Sequence, residues 1–280
     1  MTDPVWTEGM EQEERGVRVL RPAFMRASAK LSAFYAGLLD AKRVSPLFPL
    51  LGQLRRAPWQ EFIDEITEAW VPLSARVIRG AVRDATARAE KVDPRDVEAL
   101  AQRWAAENAL TMAGRLARST REAAQLLIAE QISGGLTETE VTEALRDQIG
   151  LSPKQVGALN RQRALLRRRG VPEEQITVTL ARRAAGMRRS RAEAIARTEV
   201  NAARNFGTLE AYKQARRDGD LPVGQRKGWV LSGGACKICK AIVAEGPVPL
   251  SQPFNSPLQG RVLQAPPAHP HCRCSIKLVD

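Results

Sequence analysis

The sequence predicts a mainly α fold, with a multi-helix N-terminal and central body followed by a small irregular α+β module at the C-terminus. Three observations carry this. Through most of the chain, apolar side chains recur at intervals of three and four, the period of a helix with one buried face. Aromatics make up only 5% of the residues while Ala, Leu, Arg and Glu are abundant, a balance that favours helices. All four cysteines and both histidines fall between Cys236 and Cys274, in a stretch punctuated by prolines.

A chain of 280 residues can bury a substantial core and has room for one or two domains. Its net charge of +12 is unevenly placed. Residues 1–150 carry 20 basic and 22 acidic side chains, residues 151–280 carry 23 and 9. A field of that sign draws polyanions, nucleic acid foremost, although a solvated basic face or a surface for an acidic protein has the same composition. No apolar run approaches the roughly 20 residues that span a bilayer, so no membrane partner is expected. The stretch from Met1 to Arg15 is acidic and lacks the layout of a secretory signal. The cysteines are therefore expected in a reducing cytosol, where metal binding outranks disulfides.

Taken in order, a helix is expected from about Pro22 to Asp40, then a Pro-punctuated linker or arm from Ser45 to Pro58. Phe62, Ile66, Ala69, Trp70, Leu73 and Val77 form one helical stripe, with Pro72 expected to kink or break it. Asp93-Pro94 reads as an N-cap followed by proline at the first helical position. Val97, Leu100, Trp104, Leu116, Leu126, Leu127 and Ile132 follow, on one long helix or two ending at Gly134-Gly135. Trp70 and Trp104 are expected in the core.

Three capping boxes come next: Thr137 with Glu140, Ser152 with Gln155, and Ser190 with Glu193. They predict a series of short helices, broken near Gly150 and at Gly170-Val171-Pro172, with a faint repeat relating Gly150-Leu151 to Gly186-Met187. On the helix opening at Ser190, Arg197, Asn201, Arg204 and Asn205 share a polar face, with Ile195, Thr198, Ala202 and Leu209 closer to an apolar one. Asn is a poor residue for a helix interior, so two of them on one face suggest buried hydrogen bonding. Arg167, Arg168, Arg169, Arg188, Arg189 and Arg191 are the candidate contacts for nucleic acid or a partner. The divisions expected are a helical region 1–122, a basic helical part 123–222 and a small Cys/His module 223–280.

In that module Trp229-Val230-Leu231 and Ser275–Val279 read as strands, Gly233-Gly234 as a turn, and the proline-rich stretch between as irregular backbone. Structural zinc sites are tetrahedral and commonly take two close pairs of thiolate or imidazole ligands. Cys236 and Cys239 supply one pair, His269 and Cys272 the other, with Cys274 as substitute and His271 as a further possible ligand. Such a site would be a structural Zn²⁺ staple, since residues 223–280 are too few to bury much core and metal binding can supply the missing folding free energy. Buried thiols without metal, or thiols that pair on oxidation, are the alternatives.

The order Ile195-Ala196-Arg197-Thr198-Glu199, Asn201, Gly207, then Lys227-Gly228-Trp229, then the C-x-x-C of Cys236 and Cys239, then Pro266-Pro267-x-His269-Pro270-x-Cys272-Arg273-Cys274 resembles the head morphogenesis domain of tailed bacteriophages, the Mu F-like minor capsid proteins. The resemblance runs from about Ala123 to the C-terminus. His271 stands where that pattern has Asn, and Ala235 where an acidic residue is more usual.

The resemblance implies a non-enzymatic virion component that associates with portal and scaffold or capsid proteins during procapsid assembly and DNA packaging. It also implies contact with double-stranded DNA without sequence preference, and a location in the host bacterial cytoplasm during assembly and inside the head afterwards. Arg197, Thr198, Glu199, Asn201 and Trp229 would be its structural motif residues.

Two readings from other classes stand beside it. One is a treble-clef zinc nuclease with His269 or His271 as general base, opposed by Glu245 being the only carboxylate between Cys236 and Val279. The other is a zinc-stapled DNA-binding regulator, opposed by the lack of a recognisable helix-turn-helix.

Overall fold

The computed structural model describes residues 4–40, 57–86, 94–132, 144, 147–148 and 150–279. Among the described residues, six α-helices precede or interrupt a small set of strands: α1 (Pro4–Asp40), α2 (Trp59–Thr86), α3 (Pro94–Ile132), α4 (Pro153–Arg168), α5 (Glu173–Arg217) and α6 (Lys237–Ala244). The strands are β1 (Arg226–Val230), β2 (Val248–Pro249), β3 (Phe254–Ser256), β4 (Arg261–Leu263) and β5 (Ser275–Val279). The protein is thus mainly helical with a small sheet-containing C-terminal region, as the sequence predicts. No helix among the described residues is long and apolar enough to cross a membrane.

α1 starts well before the expected Pro22 and runs through it. Leu20, Ala23, Phe24, Ala27 and Leu31 are buried, while Pro22 and Arg18 are exposed. The carbonyl that proline deprives of a donor, four residues back, therefore faces water. Pro72 in α2 follows the same logic with Glu68, so the expected break does not occur. The α2 stripe is as expected, with Phe62, Ile66, Trp70, Leu73 and Val77 buried. α3 is one helix rather than two, buried on a stripe of small residues that includes Ala101, Ala105, Ala109 and Ala113. Leu126 is exposed and Leu127 takes the buried position. Asp93, most of the Ser45–Pro58 segment, Gly134-Gly135 and the Thr137 to Glu140 box lie outside the described residues.

The box at Ser152 is realised: Gln155 Oε1 accepts from the Ser152 N–H at 2.9 Å and from its hydroxyl at 3.1 Å. The box at Ser190 is not, because α5 is a single helix of 45 residues with Gly186 and Ser190 in its interior. Local signals lose here to packing. Ile176, Leu180, Ala184, Ala192, Ala196 and Val200 are all buried, so one stripe continues past Gly186 and through the helix start expected at Ser190, outweighing a glycine penalty of about 1 kcal/mol. The breaks expected near Gly150 and at Gly170-Val171-Pro172 do fall outside the helices.

The chain forms two compact units. The first comprises Met1–Val19, Trp70–Glu107 and Ala194–Asp280, the second Leu20–Ala69 and Asn108–Glu193. In the second unit the rings of Phe24 and Phe62 meet edge to face at 6.0 Å, and Arg121 lies over Trp59 at 4.9 Å. In the first, Trp104 of α3 stacks on Phe206 of α5 at 4.9 Å. α5 approaches α2 closely enough that a Cβ on Gly207 would lie 2.8 Å from the Ile78 carbonyl oxygen.

The C-terminal region of the first unit has β1 at the centre of a three-stranded sheet ordered β2-β1-β5. β1 pairs antiparallel with β5, from Arg226 opposite Val279 to Val230 opposite Ser275. β3 and β4 form a separate hairpin, with Phe254 opposite Leu263. The expected first strand lies slightly earlier than predicted, and the stretch expected to be irregular contains α6, β2 and the hairpin. Prolines do not prevent this because they sit at element ends, Pro249 closing β2 and Pro257 opening a short 3-10 turn.

Candidate metal centre

The C-x-x-C pair sits where the chain turns into α6. Cys236 is its N-cap in extended backbone, Cys239 lies in the first turn, and the Lys240 N–H donates to the Cys236 carbonyl at 3.0 Å. This turn brings both sulfurs to one side. The second group comes from a turn before β5, in which the Cys272 N–H donates to the His269 carbonyl at 3.1 Å. His269 Nδ1 donates to the Pro270 carbonyl at 2.8 Å, which leaves the Nε2 lone pair free to face the thiols. Nε2 lies 3.1 Å from Cys236 Sγ and 3.2 Å from Cys239 Sγ. A ring N–H fixed on a backbone carbonyl is the usual arrangement of a metal-ligating histidine.

Cys239 Sγ is also 3.7 Å from Cys272 Sγ. Two sets of ligand atoms result, Cys236 with Cys239 and His269, and Cys239 with Cys272 and Cys274, each set lying within 4.8 Å of one another. Cys239 belongs to both. These five residues form a cluster able to hold a metal ion.

The cluster is part of the region's apolar core, which contains Leu209 of α5, Trp229, Ile242, Leu250, Phe254, Ala268 and Ile276 beside the thiols. Trp229 packs edge to face on Phe254 at 5.3 Å. Without a cation the three buried thiols compete for one negative charge. Cys274 is held down at about 5, first by the hydrogen bond from Cys272 and further by the Ser232 backbone and the Trp229 indole N–H. The indole contact is electrostatic rather than a well-formed hydrogen bond. Burial pushes Cys239 up to about 12. Cys272 is raised by its bond to Cys274 and by burial. A divalent ion would remove that competition and let the thiols ionise together.

α5 holds the ligand loop from behind. Asn201 Nδ2 donates to the carbonyls of Cys272 at 2.9 Å and Cys274 at 3.1 Å, and Asn205 Nδ2 reaches the Cys274 carbonyl at 3.2 Å. Both Asn side chains are buried. Thr198 Oγ1 accepts from the His271 N–H at 3.0 Å, and Arg273 Nε pairs with Glu13 at 3.1 Å. The helix motif and the Cys/His motif, some 70 residues apart, are thus two sides of one contact.

His271 contributes its backbone there while its side chain is exposed, and it is not among the clustered ligands. Its φ is 60°, in the left-handed region, the one non-glycine case among the described residues. Asn and His are among the residues that tolerate this conformation best, which accounts for His standing where the resemblance has Asn.

The remaining expected residues are dispersed. Glu199 is buried, and Arg197 and Arg204 are half-buried on α5. In the second unit Arg191 donates to the Gly150 carbonyl at 2.6 Å and lies over Phe24 at 5.7 Å, with burial drawing it down to about 10. Arg188 is half-buried and lowered by burial, and Arg167 pairs with Glu173 at 3.1 Å. Only Arg168, Arg169 and Arg189 of that set of six face outward without an ion pair among the described residues.

Two further residues matter. Asn205 joins Asn201 in holding the loop, and its signal was a second Asn inside a helix. Lys227 is fully buried, donates from Nζ to the Gln264 carbonyl at 2.8 Å and lies over Phe254 at 5.1 Å. Burial, aided by Lys213, draws it down to about 8. The sequence marks it only as the first residue of the Lys227-Gly228-Trp229 segment, with no role assigned to it. No family model, curated protein or solved structure matches this chain.

Proposed function

We propose that the chain is a phage head morphogenesis or minor capsid protein whose C-terminal region is closed by a structural zinc ion. The observation that supports this reading is the contact of the two motifs carrying the resemblance, with Asn201 bonded to the carbonyls of Cys272 and Cys274. Zinc fits the donor set. Thiolates and imidazole without carboxylates suit a soft to borderline ion. With Zn–S bonds of about 2.3 Å, the S···S edge of a tetrahedron is about 3.8 Å, against 3.7 Å between Cys239 and Cys272. In this reading all coordination positions are taken by protein, so the ion folds the region rather than catalyses.

The protein acts with portal and scaffold or capsid proteins in procapsid assembly and DNA packaging, first in the host bacterial cytoplasm and then inside the head. It needs no enzymatic activity for this. Particles assembled from every other head component but without this chain test the reading: the expected outcome is loss of DNA retention or infectivity. Normal values of both would overturn it.

A further inference from the structure

Between Pro153 and Glu193 the chain carries eleven Lys and Arg against three Glu, a denser excess than the seven against two of residues 223–280. This stretch is the hairpin of α4 and the first half of α5, within the second unit. The helices pack antiparallel, with Gln155 donating to the Met187 carbonyl at 3.4 Å, Arg183 donating to Gln162, and Arg163 paired with Glu173 at 3.0 Å. Arg163, Arg167, Arg183 and Arg191 are thereby engaged inside the unit.

Six cations remain on the outside. Lys154, Arg161, Arg168, Arg169, Arg182 and Arg189 are exposed, and none is in ion-pair range of a carboxylate among the described residues. Lys154, Arg161 and Arg168 recur every seventh residue, so they line one face of α4 at intervals of about 10.5 Å. Arg182 and Arg189 repeat that spacing on α5. An unneutralised set of this size repels itself, and a polyanion laid along it removes the repulsion.

We propose that the exposed face of the α4–α5 hairpin binds the phosphate backbone of duplex DNA without sequence preference. The composition favours this occupant over two others. The stretch from Pro153 to Glu193 contains no aromatic residue, so it lacks the stacking platforms with which proteins hold single strands. Protein interfaces centre on buried aromatic and apolar anchors together with arginine, and this face has no aromatic residue and only the scattered half-exposed Leu165 and Val178. Guanidinium groups instead match phosphate oxygens in pairs. The proposal deepens the DNA contact of the head-assembly reading, but it is tested with purified protein and duplex alone, so failure of the assembly test leaves it standing.

The test is fluorescence anisotropy of two unrelated DNA duplexes of equal length, titrated with full-length protein between about 50 and 200 mM salt. A variant combining Arg161→Gln, Arg168→Gln, Arg169→Gln, Arg182→Gln and Arg189→Gln is expected to keep its circular dichroism. It is expected to bind at least about 100-fold more weakly, with the slope of log K against log salt reduced by about 4. Single Arg182→Gln reduces the slope by about 0.9. A control with five exposed cations removed elsewhere, Arg76→Gln, Arg83→Gln, Arg118→Gln, Lys240→Gln and Lys277→Gln, stays near wild type, and the two duplexes bind alike. Undiminished binding by the hairpin variant, an equal loss in the control, strong preference for one duplex, or tighter binding of polyglutamate than of DNA would each overturn the proposal.

Discussion

The two halves of α5 are one continuous helix built on opposite terms. Up to Glu193, in the second unit, a single buried stripe of Ile176, Leu180, Ala184 and Ala192 leaves the rest of the surface to arginine. From Ala194, in the first unit, two faces are buried. Ala196, Val200, Ala203, Gly207 and Ala211 form one, and Asn201, Asn205 and Leu209 form the other. The first half is therefore committed at fewer positions, chiefly Glu173, Arg183 and Arg191 beside the apolar stripe. The second is committed position by position, because polar groups buried against a ligand loop must each find their partner.

The largest expected effect concerns the proposed ion. Cys239→Ser removes the one thiol that both ligand sets share. It is expected to abolish metal binding and to remove folding free energy on the order of 10 kcal/mol from the C-terminal region. Limited proteolysis read by mass spectrometry checks this, with new cleavages within residues 223–280. Equal protection of mutant and wild type would erase the contrast between the halves.

Asn201→Leu comes next. It leaves the carbonyls of Cys272 and Cys274 with weaker or no partners in a buried site, a loss of about 1–3 kcal/mol per unsatisfied group. Metal affinity, measured by chelator competition, is expected to fall about 10- to 100-fold. A comparable change at an outward position of the other half, Arg182→Gln, leaves that affinity unchanged.

Lys227 supplies a pH-dependent prediction in the same region. Its folded value is drawn down to about 8 from the ordinary 10.5. The unfolded chain therefore binds more protons than the folded one between these values, and stability rises with pH across that window, by at most about 1.4 kcal/mol per pH unit. Below pH 8 both states are protonated and the dependence vanishes. Denaturant titrations at a series of pH values are expected to show the rise, and Lys227→Met to remove it.

The smallest effects come from two glycines on the same helix. Gly207→Ala puts a Cβ 2.8 Å from the Ile78 carbonyl oxygen, and overpacking of this kind costs about 1–3 kcal/mol. Gly186 has nothing within 4 Å of such an atom, so Gly186→Ala is expected to stabilise by about 0.5–1 kcal/mol. Thermal melts showing shifts of the same sign would break the comparison.

What was legible in the sequence follows from the same contrast. The ligand cluster could be read because thiol and imidazole are rare and their spacing has few purposes, and Ser152 because a capping box acts within one turn. The continuity of α5 could not. Gly186 and Ser190 carry local signals for a break, and only packing contributed by distant segments overrules them. α1 was lost before Pro22 because nothing local says which side of a helix a proline will face. α6 has eight residues, too few for a periodicity to register. The inward turn of Arg191 depends on Gly150 and Phe24, 41 and 167 positions away.

In the proposed reading, one closed metal site folds the C-terminal region onto α5. Elemental analysis of the purified, reduced protein beside Cys239→Ser and Asn201→Leu tests it most directly. The expected result is one zinc per chain in the wild type, none in Cys239→Ser, and zinc that Asn201→Leu yields more readily to a chelator. Wild-type protein that carries no metal after purification without chelators, and binds none when zinc is supplied, would contradict it.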